Sequence, residues 1–76
     1  MEARTAAQHF GEIIQRLRIS AGMSQETLAA EAECHPTYIS LLERGRRNPS
    51  LNTMIRLGRA LNRPAWKLVR ETEARL

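Results

Sequence analysis

The sequence predicts an all-α protein, a compact five-helix bundle, and three observations point there. Apolar residues recur at helical spacing, no segment alternates with period two, and residues that start and stop helices punctuate the chain at short intervals. The 76 residues form a single domain, 1–76, with no internal repeat, low-complexity tract or long linker. A core of that size supplies only about 3 to 5 kcal/mol unless something is added to it. The lone cysteine, Cys34, excludes an internal disulfide, and with His9 and His35 as the only histidines it does not complete a four-ligand zinc site, so no metal is expected. Oligomerisation is the remaining supplement.

Phe10, Ile13, Ile14, Leu17 and Ala21 lie on one helical face, which predicts a first helix over about 7–20 with Gly22 as its left-handed exit. Ser24 is a good N-cap for a short second helix whose inner face is Leu28, Ala29 and Ala32. After a turn at Glu33 and Cys34, a third helix starts near Pro36, tolerated there because its missing N–H has no helical partner in the first turn, and Gly45 closes it. Residues 46–50, RRNPS, read as a loop. Ser50 caps a fourth helix with Leu51, Met54, Ile55, Gly58 and Leu61 on one side, and Asn62 suits a left-handed exit. A fifth helix begins at or just after Pro64 and carries Trp66, Leu68 and Val69, with about six residues expected beyond it.

At about 100° per residue, helix three has two faces. Ile39, Leu42 and Glu43 fall on the side that packs against helices one and two, and Thr37, Ser40, Leu41 and Arg44 fall outward. An inward carboxylate at Glu43 needs a cation, and Arg18, flanking the apolar stripe of helix one, suits a bidentate clasp. Glu43 as a catalytic acid has no second carboxylate, nucleophile or metal set to work with. Neither a nucleophile–base pair nor a glycine-rich phosphate loop is present, so the chain is not read as an enzyme and no cofactor is expected.

The net charge of +4 is unevenly placed: from Arg44 through Arg46, Arg47, Arg56, Arg59, Arg63 and Lys67 to Arg70 no acid intervenes. Such a basic half suits a phosphate-rich partner, or is a solvated arginine-rich surface. Two helices joined by a short turn, the second with an outward polar face, form the outline of a helix-turn-helix over about 24–44. Placed in a major groove, Arg and the short polar side chains reach base edges, and Thr or Leu can meet a thymine methyl. No run approaches the roughly 18 apolar residues of a membrane span, so the chain is expected to be cytoplasmic, without a membrane partner.

GMSQETLA at 22–29, TYISLLERGRRNPSL at 37–51 and the AL pair at 60 and 61 resemble the Cro/C1-type helix-turn-helix regulators, the XRE family, over about residues 10–70. The short length and the TYIS-x-x-ERG-x-RN run look most like the controller proteins of restriction-modification systems, dimeric regulators of their own operons. The resemblance implies a sequence-specific transcriptional regulator that binds a (pseudo)palindromic double-stranded DNA operator as a homodimer, with half-sites about 34 Å apart.

Residue by residue, it puts Gln25 on a phosphate and Pro36 and Thr37 at the foremost base-reading positions, with Ser40 and Leu41 one turn later. Tyr38 and Arg44 become backbone or groove-edge contacts, with Tyr38 equally suited to the edge of the core. Arg46, Arg47 and Asn48 fall where the family touches phosphate, and the family tends to pair the arginine at 18 with the glutamate at 43.

Pro36 stands where relatives keep an arginine or glutamine, so one groove contact should be missing or apolar. Glu33 stands where the turn usually has glycine, which suggests another form of turn. Arg63 replaces an apolar plug and suggests loose packing between helices four and five. Leu57, Trp66, Val69 and Leu76 are the candidates for a dimer interface, with Trp66 also acceptable in the core. RNA polymerase is a further partner this reading allows, and no small-molecule effector is expected. The competing readings are an antitoxin-type autorepressor that also holds a toxin, and a helical protein-interaction module that does not touch DNA.

Overall fold

The computed structural model describes residues 3–76, which form five α-helices: α1 (Ala6–Ser20), α2 (Gln25–Glu31), α3 (Pro36–Glu43), α4 (Leu51–Ala60) and α5 (Ala65–Ala74). Each of the first four begins on a side chain that accepts a backbone N–H of the first turn: Thr5, Ser24, His35 and Ser50. At α1 the arrangement is reciprocal, since the Gln8 side chain accepts from the Thr5 N–H at 2.8 Å and Thr5 Oγ1 from the Gln8 N–H at 3.1 Å. Pro64 opens α5 without a side-chain cap. The helix runs on to Ala74, further than the sequence reading placed it.

The centre is filled by Phe10, Ile13, Ile14 and Leu17 of α1, Leu28 and Ala29 of α2, Ile39 and Leu42 of α3, Leu57 of α4 and Leu68 of α5, with Ala32 and Leu61 from the helix ends. α1 packs on both α3 and α5, α2 on both α3 and α4, and α4 on α5. The α2–α3 pair is thus backed by α1 and α4 and leaves its other side to solvent.

Several expectations are corrected. Leu57 is wholly enclosed, so it is a core residue and not part of a dimer interface. Leu51, expected on the inner side of α4, is 67 % exposed; the face that packs inward is Thr53, Leu57, Gly58 and Leu61, turned round the helix axis from the stripe read in the sequence. Ala21 lies outside the core, as the exposed C-cap of α1.

Glu33 adopts the left-handed conformation after all, at φ 58°. That turn lets the Cys34 N–H return to the Ala29 carbonyl at 2.9 Å. Two orphan carbonyls of α2 are answered across it, which offsets the roughly 1 kcal/mol cost of the conformation for a residue with a Cβ. Where α4 meets the start of α5 the approach is close, not loose: a Cβ at Gly58 would stand 2.4 Å from the Arg63 carbonyl oxygen of the connecting turn and 3.1 Å from the Ala65 N of α5.

Candidate DNA-reading face

The direction of the outward face of α3 depends on how the helix is held, and α3 is held from behind at very short range. A Cβ at Gly11 of α1 would lie 2.1 Å from the Leu42 carbonyl oxygen and 2.9 Å from that of Glu43, so α1 and the end of α3 touch backbone to backbone. Gly45, which ends α3, has φ 75° and lies flat against Gln8, where a Cβ would come within 2.6 Å of its Cγ. Ile39 and Leu42 have no exposed surface. With these inside, Thr37 and Arg44 are exposed and Ser40 and Leu41 half-exposed along the opposite side.

Glu43 is the polar member of the inner face, its side chain 2 % exposed. Arg18 Nε donates to Oε2 at 2.6 Å and Nη2 to Oε1 at 3.0 Å, a bidentate clasp, while Nη1 donates to the Met23 carbonyl at 2.9 Å. The hydrogen bonding from Glu43 raises the Arg18 guanidinium above its already high ordinary value against the opposing effect of burial, with the direct charge attraction adding to it. Gln25 Nε2 also donates to Glu43 Oε1, at 2.9 Å. One carboxylate therefore ties α1, the start of α2 and the end of α3.

The remaining residues singled out from the sequence divide by environment. Pro36 is half-exposed at the first position of α3, and Tyr38 is half-buried with its ring against the core. Arg46, Arg47 and Asn48 are exposed in the segment after α3, where Arg47 Nη1 donates to the Arg46 carbonyl at 2.9 Å. The Arg44 Nε bond back to the Ser40 carbonyl, at 3.3 Å, lays that side chain along the outward face. Trp66, Val69 and Leu76 are exposed at 58 %, 44 % and 70 %, away from this face on α5 and beyond it.

One positioning residue escaped the sequence reading in its role. Arg56 of α4 donates from Nε to the Ala32 carbonyl at 3.0 Å and from Nη2 to Thr53 Oγ1 at 3.2 Å. It latches α4 to the turn between α2 and α3. Its partner across the chain is a backbone carbonyl, which no residue pattern advertises.

Among the described residues, no three His, Cys, Asp or Glu side chains gather as a metal site would need. Nor, among the described residues, is any helix long and apolar enough to cross a membrane. A short first helix, a left-handed turn and a second helix with a braced back and a free polar front define the helix-turn-helix class of DNA-binding domain.

A family model described as "Helix-turn-helix" matches residues 14–65. The chain is 47 % identical over 53 residues to the control protein C.BamHI of Bacillus amyloliquefaciens, a match covering 68 % of this chain and 65 %, a little under two thirds, of that protein. It is 41 % identical over 58 residues to the control protein C.SmaI of Serratia marcescens, covering 76 % and 69 %. The crystal structure of the restriction-modification controller protein C.AhdI from Aeromonas hydrophila matches with a TM-score of 0.79 at 37 % identity, over 82 % of this chain and 94 % of that one. The chain belongs to the helix-turn-helix family and, within it, is similar to restriction-modification controller proteins.

Proposed function

We propose that the protein is a homodimeric, sequence-specific transcriptional regulator that reads a two-fold operator with α3 and controls a restriction-modification operon that includes its own gene. The observation that carries this reading is the row Thr37, Ser40, Leu41 and Arg44, short, hydrogen-bonding or basic, on a helix whose back is locked by Ile39, Leu42 and the Arg18–Glu43 clasp. Arg46, Arg47 and Asn48 supply phosphate contacts beside it, and Gln25 another at the start of α2. Tyr38 is assigned to the core edge, with its hydroxyl end at the groove margin.

The dimer uses the exposed apolar residues of α5 and the chain beyond it, Trp66, Val69 and Leu76. Burying them supplies the apolar area that a single small core lacks. Occupancy of a site near a promoter suffices for regulation, and RNA polymerase is the partner an activating arrangement would require.

Selection of bound sites from randomised duplex DNA tests the reading: it should return a two-fold sequence with half-sites about one helical turn apart. Thr37→Ala and Arg44→Ala should each weaken binding to that site by about tenfold while leaving fold and dimer intact, as expected for exposed groove contacts. Unchanged affinity in both variants would remove α3 as the reader. Affinity should also fall steeply with added salt, which apolar docking to a protein would not do.

A further inference from the structure

Pro36 leaves the first position of α3 without a hydrogen-bond donor, and the exposed residue before it, His35, carries one. His35 is the N-cap of α3, and its Nδ1 accepts the Thr37 backbone N–H at 3.1 Å. A ring nitrogen that accepts an N–H carries no proton of its own, so this bond assigns the tautomer: the proton is on Nε2. Nε2 lies on the edge of the ring away from the bond, and the residue is exposed.

Pro36 contributes to the same arrangement, because a following proline holds the preceding backbone extended, as it is at His35 with φ −81° and ψ 143°. Backbone and ring are therefore both set before any partner arrives. A donor already fixed in direction loses little freedom on binding.

We infer that His35 is a specificity-determining residue, its Nε2–H donating to a base acceptor at the major-groove edge, such as guanine N7 or O6 or thymine O4, next to the bases met by Thr37. The inference rests on the reading of α3 as the recognition helix. A base edge is favoured over a phosphate because the ring is tied to the Thr37 backbone, beside a side chain assigned to the bases, and a base acceptor asks only for an N–H in the right place.

The cap and the contact are separable by substitution. Serine and threonine cap helices as well as any residue but are too short to reach the groove from that position. His35→Ser should keep the thermal midpoint of the wild type and its affinity for non-specific duplex. It should bind the wild-type operator roughly three- to tenfold more weakly, the scale of one hydrogen bond. Site selection should show one position in each half-site losing its base preference, with the salt slope unchanged. His35→Thr should behave alike and serves in place of the serine variant should that one not fold.

Selection profiles identical to wild type in the capped variants would overturn the inference and leave His35 as a cap alone. Weakening that is uniform over all sequences would overturn it in favour of a phosphate contact. If the wild-type protein itself selects no sequence, the regulator reading fails first and takes this inference with it.

Discussion

Replacing Glu43 by alanine tests how α3 is oriented, and the size of the effect follows from the burial of the pair. The Glu43 side chain is 2 % exposed and that of Arg18 11 %, so truncation leaves a largely buried guanidinium without its carboxylate. Breaking one side of such a pair costs about 3–5 kcal/mol. Arg18 keeps one acceptor, the Met23 carbonyl, which places the expectation near the lower end, about 3 kcal/mol. A chain of this length has on the order of 4–11 kcal/mol in total, so the variant forfeits between a quarter and most of its margin.

Urea unfolding followed by far-ultraviolet circular dichroism measures this directly. With a slope of about 1 kcal/mol per molar urea, the midpoint should fall by about 3 M at unchanged slope. Glu43→Gln keeps the shape and an acceptor oxygen and should lose about half as much. Because the Arg18 value is raised, its contribution is complete below the ordinary arginine range and is lost only as pH rises through the folded value, far into alkali. The deficit of Glu43→Ala should therefore not change across neutral pH on account of the arginine. A midpoint shift below about 0.5 M would place the pair with exposed surface pairs and refute the reasoning.

Gly11→Ala should cost about 2–3 kcal/mol net despite the better helix propensity of alanine, because the atoms in its way are α3 backbone. Calorimetry should show a melting point lower by roughly 10–20 °C, and an unaltered one would contradict the close α1–α3 approach. Burial raises the Cys34 thiol above its ordinary value, with the Arg56 charge pulling the other way. The fold thus favours the protonated thiol, and the stability this confers is present below the ordinary thiol range and lost as pH rises through the higher folded value. Wild type should lose stability relative to Cys34→Ala as pH rises above the ordinary thiol range, and a constant difference in urea midpoint would exclude that linkage. Leu57→Ala should destabilise by about 2–5 kcal/mol through a core cavity, whereas Val69→Asp should leave helix content intact and shift sedimentation towards monomer. Equal loss of dimer in both would return Leu57 to the interface.

The five helices were legible because their signals are local: apolar spacing within each helix, and Ser24, Pro36, Gly45, Ser50 and Asn62 at the boundaries. The two faces of α3 and the Arg18–Glu43 pair followed from one helical wheel and the cost of burying a carboxylate. What failed was what neighbours decide. In α4 the rows Leu51, Met54, Ile55, Gly58 and Leu61, and Thr53, Leu57, Gly58 and Leu61, both satisfy helical spacing and share their last two members, and only the positions of α2 and α5 select the second. The latch from Arg56 to the Ala32 carbonyl and the cap from His35 Nδ1 end on backbone groups, which every residue carries and no sequence marks. Glu33 misled because the penalty of its conformation is visible in the residue type and the compensating Cys34–Ala29 bond is not.

The clasp at Glu43 stabilises the domain, but stability alone does not explain its form, since two apolar side chains of similar volume often replace a buried pair without loss. Apolar contact is non-directional and tolerates rotation of one helix against another. A carboxylate that accepts from Arg18 Nε and Nη2 on one helix and from Gln25 Nε2 on a second satisfies all three bonds in one orientation only. Gln25 sharpens the point: its amide has two N–H groups, and with one committed to Glu43 the other remains for a phosphate. Contact with the DNA backbone would then press on the same carboxylate that sets the rotation of the reading helix. The double variant Arg18→Met with Glu43→Leu separates the two roles. Its unfolding free energy in urea should recover to within about 1 kcal/mol of wild type, while its operator affinity should stay several-fold below that of wild type. Full recovery of both would mean that apolar packing by Ile39 and Leu42 already sets the direction of Thr37 and Arg44, and that the ion pair serves stability alone.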